Sequence, residues 1–595
     1  MVCYQEALAS ADRDPTLEIN ALQAMLSLHL QRKERQAAQA LLQKISELVA
    51  SIRLPSASAA LDMENATWQI KTGNMDGAIR ILRRALQAYE IMVDISSQYY
   101  TLVLMGDTFR QIAQYDSAKH YLARTQKLTM QYPGLKNRWQ IYYYADLLSR
   151  DLGQGKKAIQ ELEQAIAHIS RIAASIKSFE HRATFSDRIR PVFEDMTRLQ
   201  MQQGTWQEAL HYTEMERAFS LKTMLFSGRE NQKLARLLSG NRGDLKSVQR
   251  NLQQNELALE YEALDSTLVI WLIGKDKFSA RTVAVSRAEL SDLTQRFGKH
   301  FVPDSLVSRQ DVDNSYHALR KISKQLYNKL LRPIEAELAR AEKILVIPDE
   351  MLHLIPFAAL VDSDDKFLVE TYRFAAFPSL EILAMMMQKR PQTGQAPEQA
   401  GFLGLINEEL PFSRIEAETV AKLFARADIL SGLKSDKAAL LDQLNSAPTA
   451  GLIAAHGSAD PIRPSNSLLN FGGEQQLTLR IPDLFGLQMA ETRLVYLSSC
   501  ESATGRLFLG EGLISLQTGF LVAGAQAVIA NRWKIDDKKT MQLTSAFFQG
   551  WTSGLSIAGA LQKAQLQTIN NIKQDALYEP HPYFWAGPTL TGLSH

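Results

Sequence analysis

"LVYLSSCESATG", residues 494–505, holds one of only two cysteines in a chain of 595 residues. Leu494–Val495–Tyr496–Leu497 reads as a buried strand, so Ser498, Ser499 and Cys500 fall at its C-terminal mouth, where open α/β sheets build their sites. A second apolar run, "GLIAAHG" (451–457), ends in His456 and Gly457, and Cys500 follows His456 by 44 residues. If the two runs are neighbouring parallel strands, imidazole and thiol emerge at one sheet edge. That pairing suits a cysteine nucleophile, because an ordinary thiol with a pKa near 8.5 is mostly protonated at neutral pH and needs a nearby base. Gly457 has no Cβ, so its N–H can approach a substrate carbonyl, and with the N–H of Cys500 it would form an oxyanion hole.

The rest of the chain frames these strands. Its 46% apolar and 22% charged residues describe an ordinary globular protein, too long for one core. A formal net charge of +2 gives no reason to expect direct nucleic-acid binding. No apolar run reaches the roughly 18 residues that span a bilayer, so no membrane is expected. Cys3 and Cys500 alone make neither a disulfide framework nor a zinc cluster, and no metal or cofactor is implied. The expected compartment is the cytoplasm.

Residues 1–232 repeat. "RQAAQALLQKI", "MDGAIRILRRAL", "YDSAKHYLART" and "GKKAIQELEQAI" align on Ala38, Ala78, Ala118 and Ala158, each 40 residues apart, and "TWQEALHYTEMERA" continues at Ala209. A small residue at a fixed place lets paired helices approach and stack into a solenoid. The pattern resembles the tetratricopeptide (TPR) repeat in a long variant, with Ala85 and Ala165 seven residues beyond two of the aligned alanines. "YQEALA" (4–9) reads as the second helix of a unit, so the chain is expected to begin mid-repeat, as a trimmed fragment would. A helical connector (233–255) leads to a strand-rich part, 256–390. A Gly/Pro/Gln-rich linker (391–400) precedes alternating strands and helices over 401–595, the pattern of a mostly parallel sheet with helices on both faces.

Eight stretches, in order, carry a family resemblance over about 256–595: "LALEYEALDSTLVIWLIG", "KILVIPDEMLHLIPFAALVD", "YRFAAFPSLEIL", "LPFSRIEAETVAKLF", "AAHGSADPIRPSNSLLNF", "LVYLSSCESATG", "LGEGLISLQTGFLVAGAQAVIANRWKIDD" and "HPYFWAGPTLTG". They resemble the CHAT domain, the caspase-like peptidase module found fused to TPR repeats and related to separase, gingipains and caspases. The resemblance implies a TPR-like solenoid followed by a caspase-like α/β domain with an inactive half (256–390) and an active half (401–595). It implies that His456 and Cys500 are the catalytic dyad of an endopeptidase cutting a protein substrate. The TPR-like array would receive an activating protein or ribonucleoprotein, in bacterial signalling or defence, an RNA-guided effector complex being one such partner.

Separase-like members place an acidic residue in the specificity pocket, on a loop that here is "NRWKIDDKKT". By resemblance Asp536 and Asp537 would select a basic residue before the scissile bond. Alternatively they cap the following helix. Trp533 either walls the cleft or packs, and Arg532 stands where the family commonly has an apolar residue. His353, in "MLHLIPF", reads as a core histidine. "LGEGLISLQTGFLVAGAQ" reads as one helix whose Gly519, Ala523 and Gly524 let it lie close to the sheet. "HPYFWAGPTLTG" reads as a terminal strand sealing the sheet edge. Two other classes stay open: a TPR scaffold with a silent CHAT domain, and a serine hydrolase using Ser498 or Ser499, against which the missing G-x-S-x-G elbow counts.

Overall fold

The computed structural model describes residues 15–31, 34–52, 54–135, 138–176, 179–217, 221–222, 244–302, 306, 308–388, 400–431, 436–460, 463–473, 477–499, 502, 505–508, 512–534, 537–575 and 578–594. By its internal contacts the chain divides into two compact units, Met1–Ser175 and Ile176–His595. Residues 391–399 of the linker and 233–243 of the connector lie outside the described residues.

In the first unit, helices pair in sequence: Pro15–Gln31 with Arg35–Ile52, Pro55–Thr72 with Met75–Ile91, Ile95–Gln111 with Tyr115–Gln131, and Trp139–Asp151 with Gly155–Ser175. A fifth pair, Phe179–Gln202 with Trp206–Glu216, belongs to the second unit. Each aligned alanine is the fourth residue of the second helix of its pair, and Ala38, Ala78, Ala118, Ala158 and Ala209 are all 0% exposed. Ala85 and Ala165 are equally buried.

The turns within pairs are as regular as the alanines. Five residues before Ala78, Ala118, Ala158 and Ala209 stand Gly73, Ala113, Gly153 and Gly204, all left-handed, with φ of 88°, 58°, 71° and 75°. The N–H of each bonds three residues back, and the next N–H reaches five back, as Gly73 to Ile70 and Asn74 to Gln69. Such a cap closes the helix and reverses the chain, but a Cβ is strained there. Ala113 alone of the four carries that strain.

The second unit is organised on one eleven-stranded sheet. Its first strands are β1 (Glu256–Ala263), β2 (Thr267–Gly274), β3 (Phe278–Ala284), β4 (Lys343–Ile347) and β5 (Arg373–Ala376). Next come β6 (Gly401–Ile406), β7 (Arg426–Ser431), β8 (Ala450–Ala454), β9 (His456–Ser458), β10 (Leu468–Asn470) and β11 (Thr478–Arg480). The last are β12 (Leu494–Leu497), β13 (Gly505–Phe508), β14 (Gly512–Ser515), β15 (Ala527–Asn531) and β16 (Pro588–Gly592). The order across the large sheet is β3-β2-β1-β4-β5-β16-β15-β12-β8-β6-β7. Strands β1, β4, β5 and β16 run parallel to one another, as do β15, β12, β8, β6 and β7, and the two sets meet antiparallel at β15 and β16.

Strand β16 therefore does not seal an edge, as its terminal position in the sequence suggested. It lies mid-sheet, paired with β15 from Asn531↔Pro588 to Ala527↔Gly592 and with β5 at Thr591↔Ala376. Each half would otherwise end on an open strand edge, a costly feature that one shared strand removes from both.

Alternate residues serve opposite faces. Leu257, Leu259 and Tyr261 of β1 join one core with Ile344 and Val346 of β4, while Ala258 joins the other with Leu345 and Ile347. On the second face β1 also presents Glu256, Glu260 and Glu262, all buried. Cations lie closest to two of them: Arg217 donates to Glu262 at 2.8 Å, and Lys343 pairs with Glu256. Arg190, 3% exposed, donates to Asp349 at 2.8 Å and 3.3 Å, and the N–H of Ala263 donates to the same carboxylate at 2.8 Å.

Carboxylates crowd this cluster, and they titrate apart. Burial pushes Asp349 up, but Arg190 and Arg217 outweigh it and hold it at about 2. Burial, reinforced by Asp349, raises Glu262 to about 7. Burial likewise raises Glu350 to about 8, against the pull of Arg190.

Two predictions follow from turn and cluster. Ala113→Gly relieves the left-handed alanine and stabilises the first unit by about 0.5–1 kcal/mol, read as a higher urea midpoint. Glu262 and Glu350 keep protons in the folded chain that the unfolded chain has released above pH ~4.5. Their contribution is therefore full below that pH and is lost as pH rises through about 7 and 8, so the melting temperature falls between pH ~4.5 and about 8 and levels off above. Asp349 acts oppositely, its contribution being lost as pH falls from ~4 toward 2.

Candidate functional site

Strands β8 and β12 are parallel neighbours, in register from Leu494↔Ala450 to Leu497↔Ile453. The ladder continues past both strand ends. Ser498 donates its N–H to the carbonyl of Ile453 at 2.9 Å. The Ser499 hydroxyl, 1% exposed, donates to that same carbonyl and accepts from the N–H of Ala455, each at 3.3 Å. Ala455 immediately precedes His456, and Ser499 immediately precedes Cys500.

Beyond Ala455 the chain leaves the large sheet. His456 and Gly457 lie on β9, in a three-stranded antiparallel ribbon ordered β11-β10-β9, where His456 pairs with Asn470 and Gly457 with Leu469. The His456 side chain is exposed, and among the described residues its ring has no hydrogen-bond partner. Cys500 lies outside the described residues, but the chain on both sides of it is held. Ser502, 0% exposed, donates to the carbonyl of Ser499 at 3.1 Å and accepts from the N–H of Asn531, at the end of β15, at 3.2 Å.

Both serines considered as nucleophiles are thereby occupied. Ser498 donates to Oε1 of the buried Glu416 at 2.7 Å, and Ser499 links the two strand ends. Neither hydroxyl is hydrogen-bonded to a histidine among the described residues.

The loop expected to set specificity divides. Asp536 lies outside the described residues, and Asp537 is the first residue of the helix Asp537–Thr552. Trp533 takes the packing alternative: its ring stacks on Phe301 with centroids 4.2 Å apart, and its Nε1 donates to the carbonyl of Tyr583 at 2.9 Å. Arg532 turns toward the first half, donating to the carbonyl of His353 at 2.7 Å, and burial lowers its guanidinium to about 10.

The stretch read as one helix is two elements, because β14 (Gly512–Ser515) pairs with β13 before the helix Leu516–Ala523 begins. Gly519 in that helix packs on Leu484 rather than on the sheet. The β13–β14 hairpin rests on the turn Glu350–Leu354. Gly512 has φ of 75°, and a Cβ there would lie 2.7 Å from Nε2 of His353. Burial, with Arg217 nearby, pushes that imidazole down to about 3, so it packs as a neutral ring.

Sequence reasoning missed Asn407, Ser502 and Glu416. The signal for Asn407 was available: "GFLGLIN" is a third apolar strand ending in a buried polar residue at the same edge, and its N–H donates to the carbonyl of Ala454 at 2.7 Å. The fit of Gly512 is open to a double-mutant cycle. Gly512→Ala is expected to lower the urea midpoint strongly, and His353→Ala to recover the part due to the clash but not the part due to positive φ.

Comparison with known proteins agrees with this architecture. The family model of the CHAT domain matches residues 320–593. Tetratricopeptide repeat protein 28 of Homo sapiens is 25% identical over 326 residues, and its Mus musculus counterpart is 24% identical over the same length. Each match takes in 45% of this chain, which spans only 13% of the length of those relatives. Among solved structures, the Saccharomyces cerevisiae separase–securin complex matches with a TM-score of 0.54 at 11% identity, covering 97% of this chain and 50% of that chain. At that identity the likeness is one of fold: helical repeats followed by a mostly parallel mixed sheet.

Proposed function

As a member of the family that joins TPR-like repeats to a CHAT domain, this chain, we propose, is a cysteine endopeptidase that cuts a protein substrate with His456 and Cys500. One observation carries the proposal: the segments before the two residues are hydrogen-bonded to each other through Ser499, Ile453 and Ala455 at one end of the sheet. A base delivered by β8–β9 and a thiol delivered by the end of β12 suit each other chemically.

In the proposed reaction, His456 accepts the thiol proton as Cys500 Sγ attacks the scissile carbonyl carbon. The N–H groups of Gly457 and Cys500 donate to the oxyanion, where one such donor is typically worth about 10²–10³ in rate. His456 then protonates the leaving amine, and water, deprotonated by the same imidazole, hydrolyses the thioester and restores the thiol. No metal or cofactor enters this scheme.

Asp536 and Asp537 are proposed to favour Arg or Lys before the cut, the alternative being that they cap the helix that Asp537 opens. The TPR-like repeats are proposed to bind an activating protein or ribonucleoprotein. The cytoplasm and bacterial signalling or defence are the proposed setting.

The test compares wild type, Cys500→Ala and His456→Ala on a mixed-sequence peptide library, with and without host-cell lysate. Cleavage by wild type alone, with basic residues before the cut, is expected. Cleavage after other residues overturns the acidic pocket and leaves the dyad standing. No cleavage in any mixture, with a thiol-reactive probe failing to label Cys500, leaves a TPR scaffold with a silent CHAT domain.

A further inference from the structure

The β8–β12 ladder fixes the chain only as far as Ala455 and Ser499. His456 lies beyond it on a separate ribbon, after a bend at Ala455 where the large sheet ends. A small pivot there would carry the imidazole away from the thiol, and a misplacement of about 1 Å at a reacting pair costs on the order of 10²-fold in rate. Something outside both strands has to hold the ribbon.

The segment that follows β6 makes contacts of the required kind at both places. Asn407 is 0% exposed. Its N–H donates to Ala454 at 2.7 Å, one residue past the end of β6. Its carboxamide reaches the ribbon: Nδ2 donates to the carbonyl of Asn470, the residue paired with His456, at 3.2 Å. Its Oδ1 accepts from the N–H of Glu409 at 2.8 Å. Asn470 and Glu409 then hold the turn after β10, accepting from the N–H groups of Gly472 and Gly473 at 2.9 Å and 3.3 Å. The position uses an amide as donor and acceptor at once, which neither a carboxylate nor an alkyl group of the same shape provides.

Six residues on, the Ser413 hydroxyl, 3% exposed, donates back to the carbonyl of Asn407 at 2.6 Å and starts the helix Ser413–Ala421. One turn into that helix Glu416, 4% exposed, accepts from Ser498, two residues before Cys500, at 2.7 Å. The same ten residues thus hold the chain beside His456 at one end and the chain before Cys500 at the other. Ser413 closes the segment on itself, so the two ends keep a fixed separation.

We infer that Asn407–Glu416 is a bracket that sets the distance between the two members of the dyad, with Asn407 and Glu416 as positioning residues. The inference rests on the peptidase reading above. Neither residue touches the reacting atoms; each acts through the backbone that presents them.

The test uses the full chain and iodoacetamide, following alkylation of Cys500 by mass spectrometry between pH 5 and 9, with circular dichroism to confirm folding. If His456 assists the thiol, His456→Ala moves the alkylation midpoint up toward the free-thiol value near 8.5 and slows the reaction at pH 7 about tenfold. Asn407→Asp, which loses the donor, and Glu416→Leu, which loses the acceptor, are expected to reproduce that profile in folded protein. Glu416→Gln, which keeps an acceptor for Ser498, is expected to stay within about threefold of wild type.

Wild-type profiles in folded Asn407→Asp and Glu416→Leu, beside a shifted His456→Ala, overturn the bracket and leave the dyad intact. An unshifted His456→Ala overturns the dyad, and the bracket with it. Should Asn407→Asp or Glu416→Leu unfold, Ser498→Ala removes the same Glu416 contact from the other side and decides by the same profile.

Discussion

One carboxylate ties the second unit together. Asp349, at the end of β4, accepts both terminal nitrogens of Arg190 from the helix Phe179–Gln202 and the N–H of Ala263 at the end of β1. Arg217 lies 3.7 Å away and binds Glu262 and the carbonyls of Tyr261 and Pro348. Helix pair, central strands and the turn Glu350–Leu354 therefore meet at one buried ionic junction. Removing a single partner from such a junction strands a charge in the interior, which typically costs about 3–5 kcal/mol. The fifth helix pair shares its aligned alanine with the other four and its turn with the second, third and fourth, and is thus committed to the sheet by charge as well as by apolar contact.

The junction also explains where sequence reading stopped. The alanines, the apolar strand ends at His456 and before Cys500, and the predominance of parallel strands were legible because each is written locally, in spacing or in a short apolar run. Strand β1 was not described as a strand, since "ELALEYEA" reads as half polar while every residue in it is buried. Glu256 and Glu262 are met by Arg190, Arg217 and Lys343, which stand 45 to 87 residues away in sequence. The central place of β16 was equally hidden, because alternation in "PTLTG" identifies a strand but not its neighbours.

The candidate site was half legible for a related reason. Its proposed chemistry sits in residues that announce themselves by type, a histidine before a glycine and a rare cysteine. Its support sits in Ser499, Ser502, Asn407 and Glu416, ordinary polar residues whose importance lies in which strand end each one reaches. Ser499 is the clearest case. Beside a cysteine it invites a reading as a nucleophile, yet its hydroxyl makes two backbone hydrogen bonds that extend a ladder where the strands have run out.

The position of β16 has a consequence for the order in which the molecule can be finished. Strands β5 and β15 both wait for a strand that is made after them, and 56 residues separate the end of β15 from the start of β16. At translation rates of about 5–20 residues per second, β15 spends roughly 3–11 s as an open edge. During that interval the half that carries His456 and Cys500 exposes a template to which any extended chain can add. Insertion of β16 ends the exposure and, in the same step, turns two half-sheets into one.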